Sequence, residues 1–261
     1  MCGAVDYHGI NKAHLSRDQV RVLLDKLVIT KEIDDHHTER FLAWVGERFP
    51  DALFELILRR LDRDAEFERK KEAKAGFTPI PYHRFGNAFR PLQKGPGYKN
   101  FLVQVRDRFV TQPEQSFWLR ELFWSIASVD ETTLASIDEL LHPGTTESVR
   151  IALTLIEGSP PDFALTQPDF AVRVIEECGR VSAQLGELAE SIVVENTQTG
   201  PFNRTPGQPS PKYSSLRERS EAMRGNFPAG STGNRLFNRI YDAAVARLNH
   251  ERLEDEEVDF A

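Results

Sequence analysis

The chain has 261 residues, 40% of them hydrophobic and 28% charged, with a formal net charge of −7. That length can bury a sizeable core, as one long domain or two small ones, and the composition is ordinary for a soluble globular chain. The negative balance excludes binding of nucleic acid or anionic membrane through bulk electrostatics. Two cysteines, Cys2 and Cys178, exclude a disulfide framework.

No stretch approaches the ~20 apolar residues of a membrane span, and Met1 to Ile10 lacks the basic start and apolar run of a signal peptide. Glycine comes one position too late in Met1-Cys2-Gly3 for myristoylation. These features point to a cytoplasmic protein in a reducing compartment, with no membrane partner and with Cys178 as a small buried hydrophobe.

Taken in order, residues 1 to 15 are mixed and irregular. Ser16 reads as an N-cap, with Gln19 completing a capping box, ahead of a stripe of Val20, Leu23, Leu24 and Leu27. The polar run Asp34-Asp35-His36-His37 begins a helix carrying Phe41, Trp44, Val45 and Phe49. Pro50 breaks it, and Asp51 caps a third helix with Leu53, Phe54, Ile57, Leu58 and Leu61. Its extension from Asp62 to Lys74 alternates in sign, as a solvated, salt-bridged helix end does.

Residues 75 to 97 hold four prolines and four glycines, and Thr78-Pro-Ile-Pro81 must be extended. A short helix is expected from Tyr82 to Phe89, and a longer one from Tyr98 to Val110 with Phe101, Leu102, Val105 and Phe109 inward.

Three helices then fill Phe117 to Glu157. The first combines Leu119, Leu122, Phe123 and Ile126 with Phe117, Trp118 and Trp124, and a helix apolar on nearly all sides belongs in an interior. Asp130 caps the second, which carries Leu134, Ile137, Leu140 and Leu141. Thr145 or Thr146 opens the third, with Val149, Ala152, Leu153 and Ile156. After Pro168 come a helix striped by Phe170, Val174 and Ile175 and another from Ser182 to about Val194, with Leu185, Leu188, Ala189 and Ile192 inward. Helices over 216–224 and 232–253 close the chain.

No segment alternates at period two, so no strand is expected. The fold class read here is all-α: a degenerate HEAT-like α-solenoid of paired antiparallel helices, without a strict repeat period. The organisation read is a helical-repeat domain over 1–195, a flexible Pro/Gly-rich loop over 196–215, and a C-terminal helical hairpin over 216–261. The hairpin packs on the repeat and ends in a frayed acidic tail.

Several segments carry a family resemblance. They are Val28-Ile-Thr-Lys-Glu-Ile33 before a helix with Trp44, Phe49-Pro-Asp-Ala52 leading to Phe54 and Leu58-Arg-Arg-Leu61, Ile80-Pro-Tyr82, and the closing helix from Asn234 through Arg247 and Glu251. Together they resemble the C-terminal helical-repeat region of large bacterial NTPase-type proteins, some of the STAND class implicated in anti-phage defence. The resemblance implies a helical tail that recognises a partner while an upstream NTPase or effector does the chemistry. This chain departs from it in containing no NTPase.

No catalytic motif stands out, so the reading is a non-catalytic interaction module for a protein partner, with no cofactor and no catalytic residue. Gln93-Lys-Gly-Pro-Gly97 lacks the order and preceding strand of a phosphate loop, His83 and His142 are isolated, and the acids beside Cys178 disfavour its thiolate.

The most unusual composition is Tyr82 to Arg108, with six cations, Arg84, Arg90, Lys94, Lys99, Arg106 and Arg108, against Asp107 alone. Tyr82, Phe85, Phe89, Tyr98 and Phe101 are interleaved. Exposed, such a stretch binds single-stranded nucleic acid or phosphorylated ligands, so the binding residues read here are Tyr82, Arg84, Arg90, Lys94, Tyr98, Lys99, Arg106 and Arg108. The plainer reading is aromatics in a core and cations in ion pairs. A third reading sets a metal-dependent enzyme around His36 and His37, although neighbours on a helix point about 100° apart and a site would need partners such as Glu39 or His8.

Overall fold

The computed structural model of the chain describes residues 14–70, 76–80, 86–95, 97–142, 144–200, 203–205 and 207–259. Among them lie thirteen α-helices and no strand, as the sequence pattern requires. No helix among the described residues is long and apolar enough to cross a membrane. The chain divides into two compact units, Met1–Ser136 and Ile137–Ala261.

The first unit opens with α1 (Arg17–Ile29), whose capping box forms as read: Gln19 N–H donates to Ser16 Oγ at 3.3 Å and Ser16 N–H to Gln19 Oε1 at 2.9 Å. Val28 is buried where Leu23 was expected to be, and Leu23 is half-exposed. In α2 (His36–Arg48) the cap is Asp35, which accepts the N–H groups of His37 and Thr38, each at 3.0 Å. Pro50 does not merely end α2; it is the first residue of α3 (Pro50–Lys70), where a missing N–H costs nothing. Asp51 therefore sits in the first turn instead of capping.

The short helix expected over 82–89 is α4 (Gly86–Gln93), which continues through Pro91, while residues 82–85 lie outside the described residues. Next come α5 (Tyr98–Thr111) and α6 (Ser116–Ile126). Leu119, Leu122, Phe123 and Ile126 are fully buried, but Phe117 is 43% exposed, so α6 is not interior on every side. Helix α1 packs on α3, α2 on α3 and α4, and both α4 and α5 on α6.

One interior group of this unit was not legible as such. Arg60, within the charged-looking Leu58-Arg-Arg-Leu61, is completely buried. Its guanidinium donates to the carbonyls of Leu27, Thr30 and Lys31 at the end of α1 and of Thr78 and Pro79, between α3 and α4 in sequence. The ring of Phe77 lies 4.6 Å below it.

Helix α7 (Glu131–Leu141) contains the boundary between the units, and Asp130 Oδ1 accepts the Thr133 N–H at its start. The second unit holds α8 (Thr146–Glu157, capped by Thr145), α9 (Phe163–Thr166), α10 (Pro168–Val181), α11 (Ala183–Gln198), α12 (Pro211–Arg224) and α13 (Thr232–Asp259). Helices α10 and α11 cross at a glycine pair: a Cβ on Gly186 would lie 2.9 Å from Gly179 Cα. That crossing sets the phase of α11. Ala189 and Val193 face inward with Leu185, while Leu188, expected inside, is 46% exposed. Helix α13 packs on α10, α11 and α12, and α8 on α11.

Between α11 and α12, the stretch read as a loop is held at several points. Lys212 Nζ donates to the carbonyl of Gln198 at 2.8 Å and to that of Thr199. Arg204 donates to the carbonyl of Glu251 at 2.7 Å and pairs with Glu254 and Asp255, and the Ser210 N–H donates to Glu251 Oε2 at 2.9 Å. The acidic stretch read as frayed is helical to Asp259.

A candidate binding groove

The inner face of α4 carries Ala88, Phe89 and Leu92, all fully buried. It reaches α2 closely because Gly46 has no side chain: a Cβ there would stand 2.6 Å from the Ala88 carbonyl oxygen. With that face turned inward, Arg90 on the outer side of α4 and Lys94, four residues on in the turn that follows the helix, both line the same surface depression. On α2, Ala43 and Glu47 have the same spacing. These four residues with Pro91 and Gly95 line a groove of about 610 Å³, within the size range of ligand pockets. Arg90, Lys94 and Glu47 are exposed, and none of the three has a side-chain hydrogen bond or ion pair among the described residues. The groove thus offers two cations and one carboxylate that no other described residue pairs, above a small, partly apolar floor.

The remaining binding residues read from sequence do not join it. Tyr82 and Arg84 lie outside the described residues. Tyr98 is 6% exposed, with its hydroxyl 2.6 Å from Thr133 Oγ1 and accepting the Ser128 N–H at 3.0 Å. Phe89 and Phe101 are buried as well, so the three described aromatics of the stretch are core, while Phe85 lies outside the described residues. Lys99 is exposed on α5 but does not line the groove. Arg106 pairs with Asp107 at 3.0 Å, and Arg108 with Asp62 at 2.7 Å. The α2 wall was missed; its one signal in the sequence is Gly46 inside an otherwise good helical pattern.

His36 and His37 stand side by side, ring centroids 6.0 Å apart. Among the described residues no group of three or more His, Cys, Asp or Glu could hold a metal ion, and His8 lies outside them. At the same helix start, burial alone would raise the Asp35 carboxyl. The hydrogen bonds from the Thr38 hydroxyl, the Thr38 N–H and the His37 N–H outweigh that and hold it below its ordinary value. Cys178 has no exposed surface, and its thiol is pushed up to about 12, first by burial and then by Glu177. That is the reverse of what a nucleophile needs.

No family model, no curated protein and no solved structure matches this chain.

Proposed function

We propose that the chain is a non-catalytic helical interaction module whose first unit holds a protein partner in the α2–α4 groove. The observation that carries this reading is the groove itself: a cleft of about 610 Å³ with Arg90, Lys94 and Glu47 at its walls, none of them paired with another described residue. Charged side chains left without internal partners around a concave surface suit recognition better than stability, since exposed charges contribute little to folding. The packing order of the first unit, each helix on the next or the next but one, supports a degenerate HEAT-like arrangement of paired helices there. In the second unit α10, α11 and α13 pack mutually, which favours a small bundle over a continued repeat. The resemblance to helical-repeat tails of large bacterial NTPases fits the same division of labour, in which this module recognises and another domain does the chemistry.

The nucleic-acid reading draws less support. It needs aromatics free to stack on bases, and Tyr98, Phe89 and Phe101 are in the core. A photo-crosslinking residue in place of Ala43 tests the protein reading. The expected result is a defined polypeptide that, once identified and purified, rebinds the wild-type chain but not the Arg90→Glu, Lys94→Glu double variant. Equal crosslinking in both proteins refutes it.

A further inference from the structure

The geometry points to one class of occupant for this groove: an extended acidic peptide in which two carboxylates flank a basic residue, Glu-Lys-Glu in pattern. The inference rests on the groove being the partner site. Arg90 at the end of α4 and Lys94 in the turn after it are four residues apart and line the same groove. In an extended peptide, residues i and i+2 point to the same side about 6.6 Å apart, while residue i+1 points to the opposite side. Two acids so spaced face Arg90 and Lys94 together, and the base between them faces Glu47 on the α2 wall.

The floor agrees with a peptide lying close to it. Ala43, Pro91 and Gly95 are small or compact and only half-exposed, so a main chain approaches without side chains in its way. Arg90 offers a carboxylate two parallel N–H donors, and Lys94 offers a point charge. Glu47 supplies the discrimination. A uniform polyanion, such as a nucleic-acid backbone or polyphosphate, meets repulsion from the α2 wall, whereas the mixed peptide meets a complementary charge at each position. The groove is locally cationic on a chain of net charge −7, so repulsion from the rest of the surface turns away highly charged anions.

The test uses the full chain and fluorescence anisotropy of labelled Ala-Val-Glu-Lys-Glu-Val-Ala. The charge-reversed Ala-Val-Lys-Glu-Lys-Val-Ala, an all-Glu version and oligothymidylate serve as competitors, with inorganic phosphate as the free-anion control. The expected result is saturable, salt-weakened binding of the Glu-Lys-Glu peptide that falls by about tenfold or more in Arg90→Glu, Lys94→Glu. Glu47→Lys should invert the preference toward the all-Glu peptide. These sites are exposed, and an unchanged melting temperature confirms that the variants fold. Equal binding of the charge-reversed peptide, indifference to the double variant, or tighter binding of oligothymidylate or phosphate overturns the inference. If the Ala43 crosslink still yields a partner that the double variant loses, the acid–base–acid class alone has failed. If it yields none, the groove is not the partner site.

Discussion

Arg60 Nε donates to the carbonyl oxygen of Pro79 at 2.9 Å, nineteen residues further along the chain, from a position with no solvent exposure. The same guanidinium reaches the carbonyls of Leu27, Thr30, Lys31 and Thr78. One side chain therefore meets carbonyls at the carboxyl end of α1 and ties them to residues 78 and 79, beyond α3. Burial, with a smaller contribution from nearby Arg63, lowers its pKa to about 10, which still leaves it charged at neutral pH. Arg60→Leu removes the donor set: the Leu27 and Lys31 carbonyls keep backbone donors, but the buried Pro79 carbonyl and the partly buried Thr30 and Thr78 carbonyls lose theirs, each costing about 1–3 kcal/mol where water cannot reach. A loss of about 3–5 kcal/mol is expected in urea unfolding. Arg60→Lys should recover little, because an ammonium lacks the planar fork that spans two segments. A loss under about 1 kcal/mol for Arg60→Leu would show that the segment is held by other contacts.

The approach of α2 and α4 depends on Gly46. An added methyl meets backbone, the Ala88 carbonyl oxygen at 2.6 Å, with Leu53 Cδ2 at 3.1 Å on another side. Backbone cannot swing aside as a side chain can, so Gly46→Ala must part the helices or tilt one of them. A destabilisation of about 1–3 kcal/mol is expected from such overpacking, although alanine is the better helix former by about 1 kcal/mol. Gly86→Ala is the matched control, since nothing lies within 4 Å of a Cβ there. Equal melting temperatures for the two variants would contradict the close crossing.

At the start of α2, Asp35 caps with its side chain and accepts the Thr38 hydroxyl as well. Asp35→Ala should cost about 1 kcal/mol, and Asp35→Asn less, since asparagine also caps. The pH dependence has a definite sign. The folded carboxyl sits below its ordinary 3.8, so the unfolded chain takes up this proton first as pH falls. The stabilisation is complete above the ordinary value and is lost as pH falls below it. Urea midpoints should therefore fall on acidification through pH ~4 by more in the wild type than in Asp35→Asn. Parallel profiles would show that the carboxylate charge contributes nothing at this helix end.

Much of this architecture could be read from spacing alone. Ser16 and Asp130 cap helices where the pattern placed caps, and Thr145, one of the two residues read as opening α8, caps it, because capping depends on residues adjacent in sequence. What escaped depends on partners distant in sequence. Around Leu185 and Ala189, the α11 pattern admits either Leu188 and Ile192 or Val193 as the remaining inward residues, and the structure buries Val193. The choice falls to the glycine crossing with α10, which demands the smaller face. Arg60 and Arg59 are equivalent in any local pattern, yet one is buried among carbonyls and the other pairs with Asp25 at the surface. In the basic stretch, composition could not separate Arg90 and Lys94, which no other described residue pairs, from Arg108, whose partner Asp62 is forty-six residues away.

Cys178 gives a prediction about reactivity as well as stability. It lies on the inner face of α10 with no exposed surface, and burial, reinforced by the neighbouring Glu177 charge, pushes its thiol to about 12. In the unfolded chain the thiol ionises near its ordinary 9. Between those values the unfolded chain has lost the proton and the folded chain has kept it, so stability falls as pH rises, by at most about 1.4 kcal/mol per pH unit. Below pH ~9 the thiol leaves stability flat. In a Cys2→Ser background Cys178 is the one remaining thiol. It should resist a disulfide reagent at mildly alkaline pH and react fully in denaturant. Cys178→Ala in that background should flatten the alkaline fall while opening a small cavity. Prompt native-state labelling at neutral pH would mean that α10 opens locally, and that its packing against α11 and α13 is looser than the buried stripe implies.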